Sequence, residues 1–361
     1  MPTIRVNLGP RSYDIVVTTR ALERFPTFLR ERKPALSAAF IVTDSNADPQ
    51  GRPLADSLVK AGLRVRTVSL PPGEASKSLA NAARLYDELA DWPADRQTVV
   101  VAVGGGVVGD LAGFVAATYN RGLALLMVPT TLLAMVDSSV GGKVGVNHPK
   151  GKNLIGAFHQ PLGVWIDTAT LETLPEREYR SGLAEVVKYG IILDAEFFAY
   201  LEAHAEDVLK RDRKSVETIV ARSCRLKADV VEKDEREETG LRMVLNYGHT
   251  FAHAFETVGG YGAWLHGEAV AAGMVCASRL AERRGLIGPD VTQRQVRLLE
   301  QFKLPVAPLP AWDVDALVAC MHRDKKAQGG RLRFILPTCL GAVSTFDDVP
   351  ESLVREVLTR P

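Results

Sequence analysis

Hydrophobic positions follow two regimes along the chain. Over the first 130 residues, short apolar runs alternate with amphipathic segments. Residues 3–8 and 13–18 flank Gly9-Pro10, the pattern of a β-hairpin. Further apolar runs at 38–43, 64–70, 98–103 and 123–128 predict strands, and residues 79–89 place Leu79, Ala82, Ala83, Tyr86 and Leu89 at helical spacing. Strand–helix alternation of this kind builds a parallel sheet covered on both faces. After about Asp167 the period lengthens. From 180 to 284 the pattern is almost entirely helical, with segments at 197–209, 216–231, 249–258 and 268–284. Three prolines within 305–312 mark a connector before a last small unit. The pattern predicts an α/β N-terminal domain over 1–167, a candidate nucleotide-binding domain by virtue of its glycine-rich turn, and a mostly α-helical C-terminal domain over 168–361.

Composition narrows the class. A length of 361 residues suits two domains at about 150 residues each. With 46% apolar and 24% charged residues the chain is ordinary for a globular protein, which excludes disorder, collagen and coiled coil. Lys+Arg 44 against Asp+Glu 43 leaves a net charge of +1, so no global field draws it to nucleic acid or a membrane. Any anionic ligand must be caught by a local cluster. Cys224, Cys276, Cys320 and Cys339 lie far apart without a C-x-x-C, which argues against a disulfide framework or a thiolate zinc site. The opening MPTIRVNLGP lacks a signal-peptide pattern, and no run of about 18 apolar residues exists. The expectation is a soluble, cytoplasmic protein with neither nucleic acid nor membrane as partner.

Candidate chemistry begins at the run 98–103, which leads straight into GGGVVGD at 104–110 and then the helical text LAGFVAATY. Gly104, Gly106 and Gly109 fit G-x-G-x-x-G between a strand and a helix. Such a turn lets backbone approach a pyrophosphate at a helix N-terminus. The fingerprint also wants an acid about 20 residues on; here that region, LALLMVPTT, has none. Asp44, ending AFIVTD, is the candidate ribose acid instead, so this is not the usual first βαβ of a Rossmann domain.

Three of seven histidines, His249, His253 and His266, fall in NYGHTFAHAFE and WLHGEAVAAGM. His249 and His253, four apart, share a helix face. Imidazoles and carboxylates with an open position describe a catalytic zinc site better than a structural one. A hydrogen-bonded helix pair has the same spacing, which cannot choose ligands among His249, His253, His266, Glu256 and Glu268. Glu185 and Lys188, in SGLAEVVKYG, lie three apart on one helical face and are either a functional pair or a surface pair worth little. In DSSVGGKVGVN, Asp137 and Lys143 sit among glycines, with Lys152 and Asn153 close behind. Lysines beside glycines suit phosphate or carboxylate, as a solvated loop also would.

Together these stretches resemble the 3-dehydroquinate synthase family of sugar phosphate cyclases. The matching text is PPGEASKS at 71–78, GGGVVGD at 104–110, PTTLLAMVDSSVGGKVGVN at 129–147, KNLIGAFHQP at 152–161, GLAEVVKYG at 182–190, DEREETGLRMVLNYGHTFAHAFE at 234–256 and LHGEAVAAGM at 265–274. Seven blocks in the family's order are very hard to reach by chance. The resemblance implies a dehydroquinate synthase-like fold. It implies NAD held by Asp44, Glu74, Lys77, the turn Gly106, Val107, Val108, Gly109 and Asp110, Thr130, Thr131, Lys143, Lys152, and Thr170, Leu171, Glu172 and Thr173. The implied metal ligands are Glu185, His249 and His266, holding zinc with cobalt as an alternative, which leaves His253 outside the ligand set. Substrate contacts would come from Asp137, Lys143, Asn153, Lys188, Lys227, Arg242, Asn246, His253 and Lys325 or Lys326. Arg121, in TYNRG, would reach the neighbouring subunit's site in a homodimer. Two departures stand out. Val144 replaces a commoner threonine, and the stretch 234–240 is one residue longer than usual, which leaves the family's glutamate open between Glu237 and Glu238.

The implied reaction turns 3-deoxy-arabino-heptulosonate 7-phosphate into 3-dehydroquinate and phosphate, in the shikimate pathway. It proceeds through transient oxidation by NAD, phosphate elimination, reduction and aldol cyclisation, with no net redox change. Lys227 and Arg242 are the expected partners of the substrate carboxylate. Three other readings compete. They are a relative cyclising another sugar phosphate (an inosose or valiolone synthase), a metal-dependent polyol dehydrogenase, and a non-catalytic NAD-binding protein.

Overall fold

Valine, isoleucine and alanine crowd the runs that form strands in the computed structural model, which describes residues 1–260, 262–309, 311–323 and 332–359. In chain order the N-terminal strands are β1 (Thr3–Val6), β2 (Tyr13–Thr18), β3 (Ala38–Asp44), β4 (Arg64–Leu70), β5 (Thr98–Gly104), β6 (Ala124–Pro129), β7 (Lys143–His148), β8 (Gly151–Phe158) and β9 (Gly163–Asp167). Seven of them form one sheet in the order β1-β2-β9-β6-β5-β3-β4. Every neighbouring pair is parallel except β1 with β2. Helices α1 (Phe25–Arg32), α2 (Asp48–Lys60), α3 (Leu79–Asp91) and α4 (Gly106–Thr118) supply the crossovers and cover. The interior strand β5 is buried along its whole length, as a strand covered on both faces must be.

The sheet has a switch point. From β3 the chain passes through α2 to β4 on one side, then through α3 to β5 on the other side of β3. Connections therefore diverge at the carboxyl ends of β3 and β5, where open α/β sheets bind ligands.

After β9 the chain becomes helical with α5 (Glu176–Leu193), α6 (Ala195–Ala203), α7 (Ala205–Leu209) and α8 (Arg213–Lys233). Then follow α9 (His249–Val258), α10 (His266–Arg283), α11 (Pro289–Gln301), α12 (Val314–Arg323), the antiparallel pair β10 (Phe334–Cys339) and β11 (Ala342–Phe346), and α13 (Glu351–Thr359). Internal packing divides the chain into two units. The first is Met1–Leu174 with Val216–Arg236, and the second is Pro175–Ser215 with Glu237–Pro361. The pattern along the chain predicts one cut near 167, whereas most of α8 packs with the α/β unit. The last elements, expected as a separate small unit, belong to the second unit.

Other local expectations shift for identifiable reasons. The helix expected over 197–209 divides at His204, whose backbone leaves helical geometry while its ring stacks on Tyr200 at 4.2 Å. The glycine-rich 137–158 region is not a loop. Residues Ala134–Ser138 form a π-helix, and β7 and β8 pair as a separate antiparallel ribbon. Gly145 and Gly156 face each other there, and a Cβ on either would overlap the opposite backbone. The ribbon therefore needs glycine where sequence alternation would show a side chain.

Candidate active site

In the first unit, Asp44 ends β3 and the glycine turn ends β5, so the switch point brings the two together as nucleotide binding requires. A Cβ on Gly105 would stand 3.2 Å from Thr131 Cγ2, and one on Gly106 would stand 3.2 Å from Ser138 Oγ. This is a cradle that side chains would fill. Helix α4 has no side-chain cap, and Gly109 N, bonded to Gly105 O at 3.0 Å, is the first of its amides with an intrahelical acceptor. The N–H groups of Gly106, Val107 and Val108 are the orphan donors that suit a pyrophosphate. Asp44 Oδ1 accepts from the backbones of Asn46 and Ala47 at 2.9 and 3.0 Å, which fixes its carboxylate.

Beside this turn, Lys77 is 5% exposed and its ammonium donates to Asp110 Oδ2 and to Asn153 Oδ1. Burial raises the Asp110 carboxyl above its ordinary range, and Lys77 opposes that shift. Asn147, which the sequence reading passed over, organises the cluster. Its Oδ1 accepts from Asn153 N at 2.9 Å, its Nδ2 donates to Glu74 Oε1 at 2.6 Å, and its N–H donates to Lys77 O at 2.9 Å. Its position at the end of the motif that also carries Asp137 and Lys143 was the available signal. Asn153 itself has φ 54°, the left-handed region. Lys143 opens β7 with an exposed side chain, and Lys152 lies beside Asn153 on β8. Thr130 and Thr131 follow β6, and Thr170, Leu171, Glu172 and Thr173 lie in and after the 3-10 turn that follows β9. Thr170 Oγ1 donates to Asp167 O at 2.9 Å, and Thr173 Oγ1 accepts from Gln50 Nε2 at 3.2 Å.

Asp137 sits in the π-helix, a rare form that leaves carbonyls outside the α pattern. Helix α8 satisfies two of them. Lys227 Nζ donates to Asp137 O and Oδ1 at 2.5 and 2.7 Å, and Cys224 Sγ donates to Met135 O at 3.3 Å. Burial pushes the Cys224 thiol up to about 12, so it remains a donor. The spacing of Cys224 and Lys227 places both on one helix face. Arg121 follows α4 in a turn where Asn120, Arg121 and Gly122 all have positive φ, and its side chain is exposed.

In the second unit, α5 carries Glu185 and Lys188, 0% and 1% exposed and in ion-pair contact, which excludes a surface pair. Neither Glu185 oxygen accepts a hydrogen bond, because Lys188 approaches outside hydrogen-bonding geometry. Helix α9 contributes His249 and α10 contributes His266. Their Nε2 atoms lie 3.8 and 3.9 Å from Glu185 Oε1. That is close to the ligand–ligand spacing around an ion with bonds of about 2.1 Å. His249 Nδ1 donates to Tyr247 O at 3.1 Å, which directs the other nitrogen's lone pair toward Glu185. His266 Nδ1 lies 3.6 Å from Glu256 Oε1, a carboxylate behind an imidazole as metal sites commonly have.

Among the described residues these three form the one group of His, Cys, Asp and Glu side chains able to hold a metal, with ligand atoms within 4.8 Å of one another. Lys188 contacts Oε2 of Glu185, which leaves Oε1 turned to the two imidazoles, and one oxygen with two nitrogens is a donor set for zinc or cobalt with positions left open. Of the other candidates, His253 stacks edge-on to His249 at 5.7 Å, and Glu256 stands behind His266. Glu268 is engaged by Arg177 at 2.7 Å. Arg242 and Asn246 lie in the 3-10 turn Leu241–Asn246, with Arg242 only 3% exposed. Of Glu237 and Glu238, it is Glu237 that approaches Arg242, at 3.7 Å. Lys325 and Lys326 lie outside the described residues.

Comparison with known proteins places the whole chain in a family. The family model for the 3-dehydroquinate synthase N-terminal region matches residues 67–181, and that for the C-terminal region matches 182–327. The 3-dehydroquinate synthase of Desulforamulus reducens is 49% identical over 361 residues, covering 100% of both chains. A 2-deoxy-scyllo-inosose synthase solved with carbaglucose-6-phosphate, NAD+ and Co2+ superposes with a TM-score of 0.90 at 29% identity, covering 99% of each chain. A 2-epi-5-epi-valiolone synthase from Streptomyces hygroscopicus, solved with NAD+ and Zn2+, gives 0.87 at 29% identity over 96% of this chain and 95% of its own. With both family models matched in order and half of all positions shared with a full-length relative, the chain belongs to the 3-dehydroquinate synthase family.

Proposed function

We propose that this protein is a 3-dehydroquinate synthase. It converts 3-deoxy-arabino-heptulosonate 7-phosphate to 3-dehydroquinate and phosphate, using NAD and a divalent metal, zinc or cobalt. The observation that carries this reading is the buried, hydrogen-bond-free carboxylate of Glu185 beside the Nε2 atoms of His249 and His266. When bound, NAD takes and returns a hydride while the metal polarises the substrate oxygens as a Lewis acid.

The chain's own residues bind and orient. The Gly106, Val107 and Val108 amides, with the close backbone of Gly109, take the pyrophosphate and Asp44 takes ribose hydroxyls. Glu74, Lys77, Asp110, Thr130, Thr131, Lys143, Lys152 and the stretch Thr170, Leu171, Glu172 and Thr173 complete the dinucleotide site. Lys77 neutralises Asp110 and aims Asn153. Lys143, Asn153, His253 and Lys325 or Lys326 receive the phosphate. Asp137 holds Lys227, and the planar fork of Arg242 receives the carboxylate with Asn246 beside it. Lys188 balances the charge of Glu185, and Tyr247 O holds His249 in the tautomer that presents Nε2.

The protein works as a homodimer in the same reading. Arg121, exposed in its left-handed turn and without a hydrogen-bond partner among the described residues, serves the second copy's site. The enzyme is cytoplasmic; no helix among the described residues is long and apolar enough to cross a membrane.

Cyclisation of another sugar phosphate is the second reading, supported by the inosose and valiolone synthases among the structural neighbours. One assay separates the two. Purified protein with catalytic NAD, zinc and the heptulosonate 7-phosphate should release phosphate and dehydroquinate in equal amounts without accumulating NADH. Phosphate or NADH without dehydroquinate would move the assignment to another sugar, and no reaction would return the non-catalytic reading.

A further inference from the structure

Helix α10 starts with a metal-ligand candidate at its first residue, yet its N-cap is Leu265, which has no side-chain acceptor. The first turn of a helix has unsatisfied N–H groups and frays most readily. His266 therefore occupies the least secured position of its own helix. Helix α5 secures this segment from outside, with donors on Arg177 and one acceptor on Ser181. Arg177 Nε and Nη2 donate to Glu268 Oε1 and Oε2, both at 2.7 Å, and Arg177 Nη2 also donates to Ala263 O at 2.9 Å. Glu268 Oε2, held in this way, accepts from Leu265 N at 2.7 Å. One turn further along α5, Ser181 Oγ accepts from Gly267 N at 3.0 Å. A Cβ at Gly267 would overlap Ser181 O, so the two helices cross as closely as backbone allows. One turn further again stands Glu185, facing His266.

We propose that Arg177 and Ser181 are positioning residues that clamp the start of α10 so that His266 meets Glu185, and that this clamp sets how tightly the protein holds its metal. Arg177, Ser181 and Glu185 recur every four residues, one stripe on one helix face. Each turn of α5 grips one part of the segment from Ala263 to Glu268. The proposal rests on the reading of Glu185, His249 and His266 as metal ligands. Outer partners that orient ligands are worth about 10- to 100-fold in metal affinity.

The test is zinc affinity by chelator competition, together with the visible spectrum of the cobalt-loaded protein. Arg177→Met and Ser181→Ala should each weaken zinc about 10- to 100-fold and alter the cobalt spectrum. The melting temperature of metal-free Arg177→Met protein should hardly change, since the Arg177 side chain is 54% exposed. Arg177→Lys should recover part of the loss. Adding Glu268→Gln to Arg177→Met should cost little more, because the two act as one unit. If Arg177→Met and Ser181→Ala hold zinc like the parent while Glu185→Gln loses it, the clamp is overturned and the metal site stands. If Glu185→Gln also holds zinc like the parent, both fail.

Discussion

Lys77, Lys188 and Lys227 are buried lysines, each facing a carboxylate of a matching site residue: Asp110, Glu185 and Asp137. Burying an ammonium is costly unless an opposite charge faces it, and each of these pairs supplies one. Arg242 is the buried guanidinium assigned to the substrate carboxylate. Arg242→Ala should lower kcat/KM about 100-fold or more, the scale of removing one member of a buried charge pair. Steady-state kinetics with the heptulosonate would check this, with a surface arginine variant as control. His159 carries a prediction of another kind. Burial lowers its pKa below the ordinary 6.5, against a backbone bond to Leu123 O at 2.9 Å that raises it. The unfolded chain then takes up the proton first, so the contribution of His159 to stability is present above pH 6.5 and lost as pH falls below it. Melting temperature should drop between about pH 7 and 5, and His159→Gln should flatten that slope. An unchanged slope would reject the role.

Helix α4 and strand β7 meet where Gly113 faces Val144, and a Cβ at Gly113 would overlap Val144 Cγ1. Val144 is therefore 5% exposed and packed on a glycine. Gly113→Ala should destabilise by about 1–3 kcal/mol through overpacking. Trimming the neighbour with Val144→Ala should recover much of that, as thermal or urea unfolding of the single and double variants would measure. The strands β3 to β6 and most helices were legible because their apolar periodicity is local. The β7–β8 ribbon was not. Gly145 and Gly156 are there because backbones pass too close for side chains, and glycine leaves no alternation to read. The π-helix was equally hidden, since its carbonyls are satisfied by Cys224 and Lys227, far along the chain.

Across the whole molecule, metal binding and folding are linked, because an ion held only by the folded arrangement of Glu185, His249 and His266 stabilises that arrangement. Zinc at about 100 times its Kd should add about 2.7 kcal/mol, and chelation should lower the melting temperature by several degrees. Thermal scans of chelated and zinc-reloaded protein would measure this, and Glu185→Gln should show no difference between the two. The sequence by itself determined the α/β and helical regimes, the glycine turn and its strand–helix setting, and, through seven ordered motifs, the family and its candidate residues. Such features are written in short stretches whose spacing survives without coordinates. Spacing alone left five candidate ligands; the resemblance kept His249 and His266 of these and added Glu185. The structure supplies the physical reason for that choice. Glu268 is engaged by Arg177, Glu256 lies behind His266, and Glu185 Oε1 faces the two imidazoles. The return of α8 to the first unit, the role of Asn147 and the stripe on α5 were likewise decided only in three dimensions. Each depends on which distant segments pack together, and burial and hydrogen bonding settle that only once the whole chain has folded.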